Sequence, residues 1–166
     1  GVLELAFDQG RIVAGDAELP VCELEIELLR GTPAVLLAAA RTWVTRHGLW
    51  LDVRSKAERG TLLATGAQRA PARKAARVEI DAAADLPAAR CAVLRECQQQ
   101  IVVNASQLAS GDYGDEHLHQ LRVGLRRLRT AFALFAPERA PDESADVVPD
   151  PLDEAAAGLF RALGAA

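Results

Sequence analysis

The chain has 166 residues, half of them hydrophobic, enough for one domain or two small ones with a real core. A formal net charge of -4 argues against a general nucleic-acid binder, and no run of about 18 apolar residues or signal-peptide arrangement points to a membrane or to export. A cytoplasmic setting is therefore expected. Cys22, Cys91 and Cys97 are odd in number and lack CxxC spacing, which argues against a disulfide framework and a zinc site and leaves them expected as buried thiols. Met is absent throughout, even at position 1, so the sequence reads as a piece of a longer polypeptide with both ends cut.

The first stretch is acidic. Glu4, Asp8, Asp16, Glu18, Glu23, Glu25 and Glu27 stand against Arg11 and Arg30. VLELAF alternates as a strand, Asp8-Gln9-Gly10 is a turn signal, and RIVAG continues as a hairpin partner. VCELEIELL is a second alternation, with Cys22, Leu24, Ile26 and Leu28 on one face and Glu23, Glu25 and Glu27 on the other. Carboxylates spaced by roughly 6.5 to 7 Å along a strand repel one another. An edge bathed in solvent accommodates such a row, and so does a hard divalent cation with oxygen ligands.

Thr32-Pro33 opens a helix across AVLLAAARTWVTRH and Gly48 closes it, with Trp43 expected in the core and His47 at the favourable C-terminal end. Trp50 to Val53 and Thr61 to Ala64 read as short strands around Ser55 to Gly60. The region from 41 to 77 is strongly basic. Residues 65–87, rich in Ala, Arg and Lys, form the linker.

Helical periodicity returns from Ala88 to Ser110, with Cys91, Leu94, Ile101, Ala105 and Leu108 on one side and Gly111 as the stop. The next helix, DEHLHQLRVGLRRLRTAFALF, aligns Leu118, Leu121, Leu125, Leu128 and Phe132 as a core stripe. His119, Arg122, Arg126 and Arg129 fall on an adjacent stripe, while Arg127 points elsewhere; His117, at the edge of the apolar stripe, reads as packed or capping. Three arginines spread over roughly 10 Å of helix call for a ligand with several negative groups in a row, or for the carboxylates of another helix. Pro137 ends this helix, Pro141 to Pro151 reads as an exposed acidic loop, and Asp150-Pro151 opens a last helix to about Leu163.

HLHQLRVGLRRLR, preceded by a helix of mixed Cys, Leu and Gln, resembles the first signature of the CHAD family, and His119, Arg122, Arg126, Arg127 and Arg129 match its pattern. The resemblance implies an all-helical domain that binds inorganic polyphosphate through those five residues. ELAFDQG, CELEIELLRG and RSKAERG, over residues 2 to about 64, resemble the C-terminal half of a CYTH domain, a triphosphate tunnel metalloenzyme. By position, that resemblance implies Glu23 and Glu25 as metal-coordinating and catalytic, Lys56 as the phosphate-binding lysine, and Glu27, Glu4 and Asp8 as further acidic residues of the metal site, with Mg²⁺ or Mn²⁺ as the cofactor. The N-terminal Glu-x-Glu-x-Lys strand and the middle strands of that family have no counterpart here.

The expected fold is thus α+β: an antiparallel sheet or tunnel part with a helix at 1–64, the linker, and the N-terminal half of an all-α helical bundle at 88–166. The expected function is a metal-dependent triphosphatase hydrolysing tripolyphosphate, fused to a polyphosphate-binding domain. A polyphosphate-binding protein with a silent acidic sheet is the alternative, and a structural role for both charged surfaces is a third reading. Nucleic acid and membrane are not expected as partners.

Overall fold

The structure, a computed structural model, describes residues 1–67, 69–136 and 151–164. They fall into two compact units, Gly1–Ala70 and Pro71–Ala166. The chain is α+β, with a two-stranded antiparallel sheet first and helices after it.

In the first unit, β1 (Val2–Ala14) and β2 (Ala17–Arg30) pair from Ala14–Ala17 to Val2–Arg30, with a bulge at Leu29. The turn is not at Asp8-Gln9-Gly10, and Arg11 to Val13 are part of β1 rather than of a partner strand. Gly15 and Asp16 form the loop, because Ala14 pairs with Ala17 and Gly15 adopts φ +60°, the backbone that a two-residue hairpin loop needs and that glycine adopts without strain. Placing the turn there lets every residue of β1 find a ladder partner.

The register sorts the side chains onto two faces. Glu4, Ala6 and Asp8 lie opposite Glu27, Glu25 and Glu23, whereas Leu3, Leu5 and Phe7 lie opposite Leu28, Ile26 and Leu24. One face is therefore acidic and the other apolar.

Helix α1 (Pro33–His47) begins with proline in its first turn and ends at Gly48 with φ +63°. Thr32 stands at its N-cap without a side-chain cap bond. Trp43 is half-buried rather than core and stacks on His47, ring centroids 4.9 Å apart.

Helix α2 (Lys56–Ala64) replaces the two short strands expected around it. Thr61 to Ala64 are its last turn, and Trp50 to Val53 have no regular structure. A capping box starts it: the Ser55 hydroxyl accepts from the Glu58 N–H at 3.1 Å, and the Glu58 carboxylate accepts from the Ser55 N–H at 2.7 Å. A Cβ on Gly60 would come within 3.3 Å of Ile12, so α2 sits close on β1.

In the second unit, α3 (Leu86–Ala109), α4 (Asp115–Leu134) and α5 (Pro151–Ala162) pack together. Asp85 caps α3 by accepting from the Ala88 N–H at 2.8 Å. Leu121, Leu125 and Ala156 form the core, with Ile101, Ala105, Leu108, Leu128, Phe160 and Leu163 packed around them. The leucine stripe of α4 thus faces inward as its spacing predicts.

The buried face of α3 is largely polar: Gln100 and Asn104 are fully enclosed, with Cys97, Ser106 and Gln107 beside them. Its amides have partners. Gln100 Nε2 donates to Gln120 Oε1 at 2.8 Å, and Asn104 Nδ2 donates to the carbonyls of Gln100 at 2.7 Å and Arg73 at 2.9 Å. The stretch ahead of α3 is held on it as well, since the Ala76 N–H donates to Glu96 at 2.8 Å and the Arg73 guanidinium to Glu96 and Gln99 at 2.9 and 3.0 Å.

Of the three cysteines only Cys97 is buried, and there burial pushes its thiol pKa up. Cys22 and Cys91 are exposed, contrary to expectation. Cys22 lies on the sheet face opposite the acidic one, and Cys91 lies in the first turns of α3, before its buried residues begin. Pro137 and the acidic stretch from Pro141 to Asp150 lie outside the described residues.

Candidate functional site

The acidic face of the hairpin gathers three carboxylates at one point. Asp8 on β1 and Glu23 and Glu25 on β2 bring ligand oxygens within 4.8 Å of one another. Glu4 and Glu27 share this face but lie opposite each other farther along the ladder, both exposed and outside the cluster.

The first turn of α2 supplies the countercharge. Lys56 Nζ lies 2.5 Å from Asp8 Oδ2, 2.7 Å from Glu23 Oε1 and 2.6 Å from Glu25 Oε1. Arg59, three residues later and on the same side of the helix, places Nη2 2.5 Å from Glu23 Oε2. Glu23 therefore uses its two oxygens for two different cations.

The electrostatics follow. Burial opposes ionisation of Glu23, but hydrogen bonds and charge from Lys56 and Arg59 outweigh it and hold the carboxyl below its ordinary range. Hydrogen bonds to Asp8, Glu23 and Glu25 push the Lys56 pKa up. Three carboxylates face two cations, and the donor set is all hard oxygen, of the kind that Mg²⁺ and Mn²⁺ take.

Arg59 is the residue that sequence reasoning missed. Its signal was present in RSKAERG: Ser55-x-x-Glu58 is a capping box, and once a helix starts there Lys56 and Arg59 must share a face. Reading Thr61 to Ala64 as a strand concealed that spacing.

On α4 the basic residues separate by role. His119, Arg126 and Arg129 are exposed and Arg122 is half-buried. The Arg122 guanidinium lies 5.4 Å from the centre of the Phe160 ring, and Arg129 Nε donates to Asp153 Oδ1 at 2.9 Å, so α5 covers part of the stripe. Arg127, off the stripe, turns into the helix interface and donates to Gln100 Oε1 at 2.5 Å. His117 is buried and caps its own helix, its Nδ1 accepting from the Gly114 N–H at 3.1 Å. No helix among the described residues is long and apolar enough to cross a membrane.

Comparison with known proteins adds two findings. A curated relative, the inorganic triphosphatase of Haemophilus influenzae, is 41% identical over 61 residues. That stretch is 37% of this chain and 17% of the relative, so the chain spans only a small part of the relative's length. Residues 92–166, which contain α4, α5 and most of α3, match the family model of the CHAD domain.

Proposed function

We propose that the chain is part of a divalent-metal-dependent inorganic triphosphatase that cleaves tripolyphosphate to pyrophosphate and phosphate. The convergence of Asp8, Glu23 and Glu25 on one point, with two cationic side chains beside them, carries this reading. Mg²⁺ or Mn²⁺ bound by these carboxylates, with Glu27 and Glu4 farther along the face, would neutralise negative charge on phosphate oxygens. Arg59 holds Glu23 ionised and in place, and Lys56 is the cation within reach to hold a phosphate that does not react. Water attacks the terminal phosphorus in line; its oxygen forms the new P–O bond as the bridging P–O bond breaks, and no protein nucleophile is needed. The exposed free thiols Cys22 and Cys91 suit the reducing cytoplasm.

Phosphate release from tripolyphosphate by the intact natural polypeptide, with and without Mg²⁺ or Mn²⁺, tests the reading. Glu23→Gln with Glu25→Gln should abolish metal-dependent release. Retained turnover in that variant would place the metal elsewhere.

The second unit supports polyphosphate binding through His119, Arg122, Arg126 and Arg129, with Arg127 supporting the helix beneath them. If the acidic sheet is silent, this binding alone is the function, and it is favoured by the exposure of Arg126 and His119. Long-chain polyphosphate should bind in a salt-sensitive way that duplex DNA does not displace. Replacing Arg122, Arg126 and Arg129 by Glu should abolish binding while leaving helicity nearly unchanged, and unaltered affinity would remove the stripe from the account.

A further inference from the structure

We infer that Lys56 is a tethered cation that occupies the metal position of the acidic cluster when no divalent ion is bound and is driven out of it when one binds. The inference rests on the reading of Asp8, Glu23 and Glu25 as the divalent-metal site.

The geometry leaves room for one cation. The Lys56 ammonium touches an oxygen of each of the three carboxylates at 2.5 to 2.7 Å. A divalent ion held by those same three carboxylates would need the space that Nζ fills. The two cations also repel, so each weakens the other's hold by the same factor.

Lys56 can leave without disturbing its helix. It is the first residue of α2, whose start is fixed by the Ser55–Glu58 capping box rather than by the lysine side chain. That side chain is 38% exposed and turns on a flexible four-carbon stem, so a path to solvent is open. Arg59 differs. Its side chain is 13% exposed and binds the other oxygen of Glu23, so it stays and keeps that carboxylate aimed as the ammonium departs.

The exchange couples two events at one place. Without metal the ammonium neutralises the cluster and is unavailable to an anion. Once a divalent ion displaces it, the same ammonium becomes free for a phosphate oxygen next to that ion. Metal entry thus arms Lys56, and a polyphosphate arriving before the metal meets carboxylates and a lysine that is already engaged.

Mn²⁺ alone, without phosphate, is the probe. Calorimetric titration of the unaltered chain, Lys56→Met and Glu25→Gln gives three affinities, and amine acetylation followed by mass spectrometry gives the reactivity of Lys56 before and after Mn²⁺. Lys74, which lies with Glu116 in the second unit and is 74% exposed, serves as the reference amine. Lys56→Met should bind Mn²⁺ about tenfold tighter or more, because a positive charge a few ångströms from the ion is gone. In the unaltered chain, acetylation of Lys56 should rise several-fold with Mn²⁺ relative to Lys74, a result that does not depend on how the Met variant folds. If Mn²⁺ binds and Glu25→Gln weakens it, yet Lys56→Met binds no tighter and Lys56 reactivity is unchanged, the exchange is wrong and the metal site stands. If no Mn²⁺ binding sensitive to Glu25→Gln is found in either protein, the metal site itself falls and the exchange with it.

Discussion

Arg127 Nη1 donates to Gln100 Oε1 across the α3–α4 interface at 2.5 Å, while Gln100 Nε2 donates onward to Gln120 at 2.8 Å. Gln100 is fully enclosed, so its amide depends on these two partners. Arg127→Ala should therefore lower stability by about 2 kcal/mol in urea denaturation, since a buried acceptor loses a charged donor. Arg126→Ala, one residue away but exposed, should change stability by no more than about 0.5 kcal/mol while weakening polyphosphate binding. Equal effects on stability would show that the two arginines are not divided between interface and surface.

Asp52 is clamped by Arg54, whose Nε and Nη2 each donate at 2.8 Å and whose backbone N–H donates at 3.0 Å. Burial opposes ionisation of Asp52, but these bonds outweigh it and hold its carboxyl below the ordinary 3.8. A lowered folded-state pKa means that the unfolded chain takes up the proton first, so the clamp stabilises above pH 3.8 and is lost as pH falls through the folded-state value. Asp52→Asn should cost about 1 to 2 kcal/mol at pH 7. Thermal melts from pH 7 down to about 2 should show the two proteins converging in the acid range, and a constant gap across that range would contradict the assignment.

Gly124 on α4 is buried against α3. A Cβ there would stand 2.9 Å from Ile101 Cγ1 and 3.4 Å from Gln100 Cγ. Alanine is worth roughly 1 kcal/mol more than glycine in a helix interior, but overpacking of a tight interface costs about 1 to 3 kcal/mol. The displaced atoms belong to a branched side chain and an enclosed glutamine, neither of which can give way freely. Gly124→Ala should therefore be destabilising by about 1 kcal/mol in chemical denaturation, and a stabilised variant would mean that the helices separate to admit the methyl group.

Periodicity makes much of this legible in the sequence. The Glu23-Glu25-Glu27 face follows from period two, and the burial of Leu121 and Leu125 follows from helical spacing. What escaped depended on contacts between segments distant in sequence. Arg59 gains meaning only when α2 lies on the hairpin, and Gln100, Asn104, Gln107 and Gln120 look like surface residues until their partners are known. Short apolar runs failed for a different reason: Thr61 to Ala64 fits a strand or a helix equally by composition, and the Ser55–Glu58 cap decides between them. The turn was misplaced because Asp8-Gln9-Gly10 and Gly15-Asp16 both carry turn residues, and only the second leaves a full ladder.

Asp153, in the first turn of α5, holds Arg129 through a 2.9 Å bond in a pair that is partly exposed on both sides, at 36% and 45%. An exposed pair of this kind contributes about 0 to 1 kcal/mol to stability, and the carboxylate adds a few tenths at the helix N-terminus. The same carboxylate competes with any phosphate for Arg129. Asp153→Asn should therefore raise affinity for long-chain polyphosphate about two- to fivefold at low salt, with a stability loss of at most about 1 kcal/mol. The gain should shrink as salt rises, because screening weakens both the competing carboxylate and the phosphate contacts. Fluorescence anisotropy of labelled polyphosphate at two salt concentrations measures this directly. Unchanged affinity at low salt would place Arg129 outside the binding strip and leave Arg122 and Arg126 as its arginines.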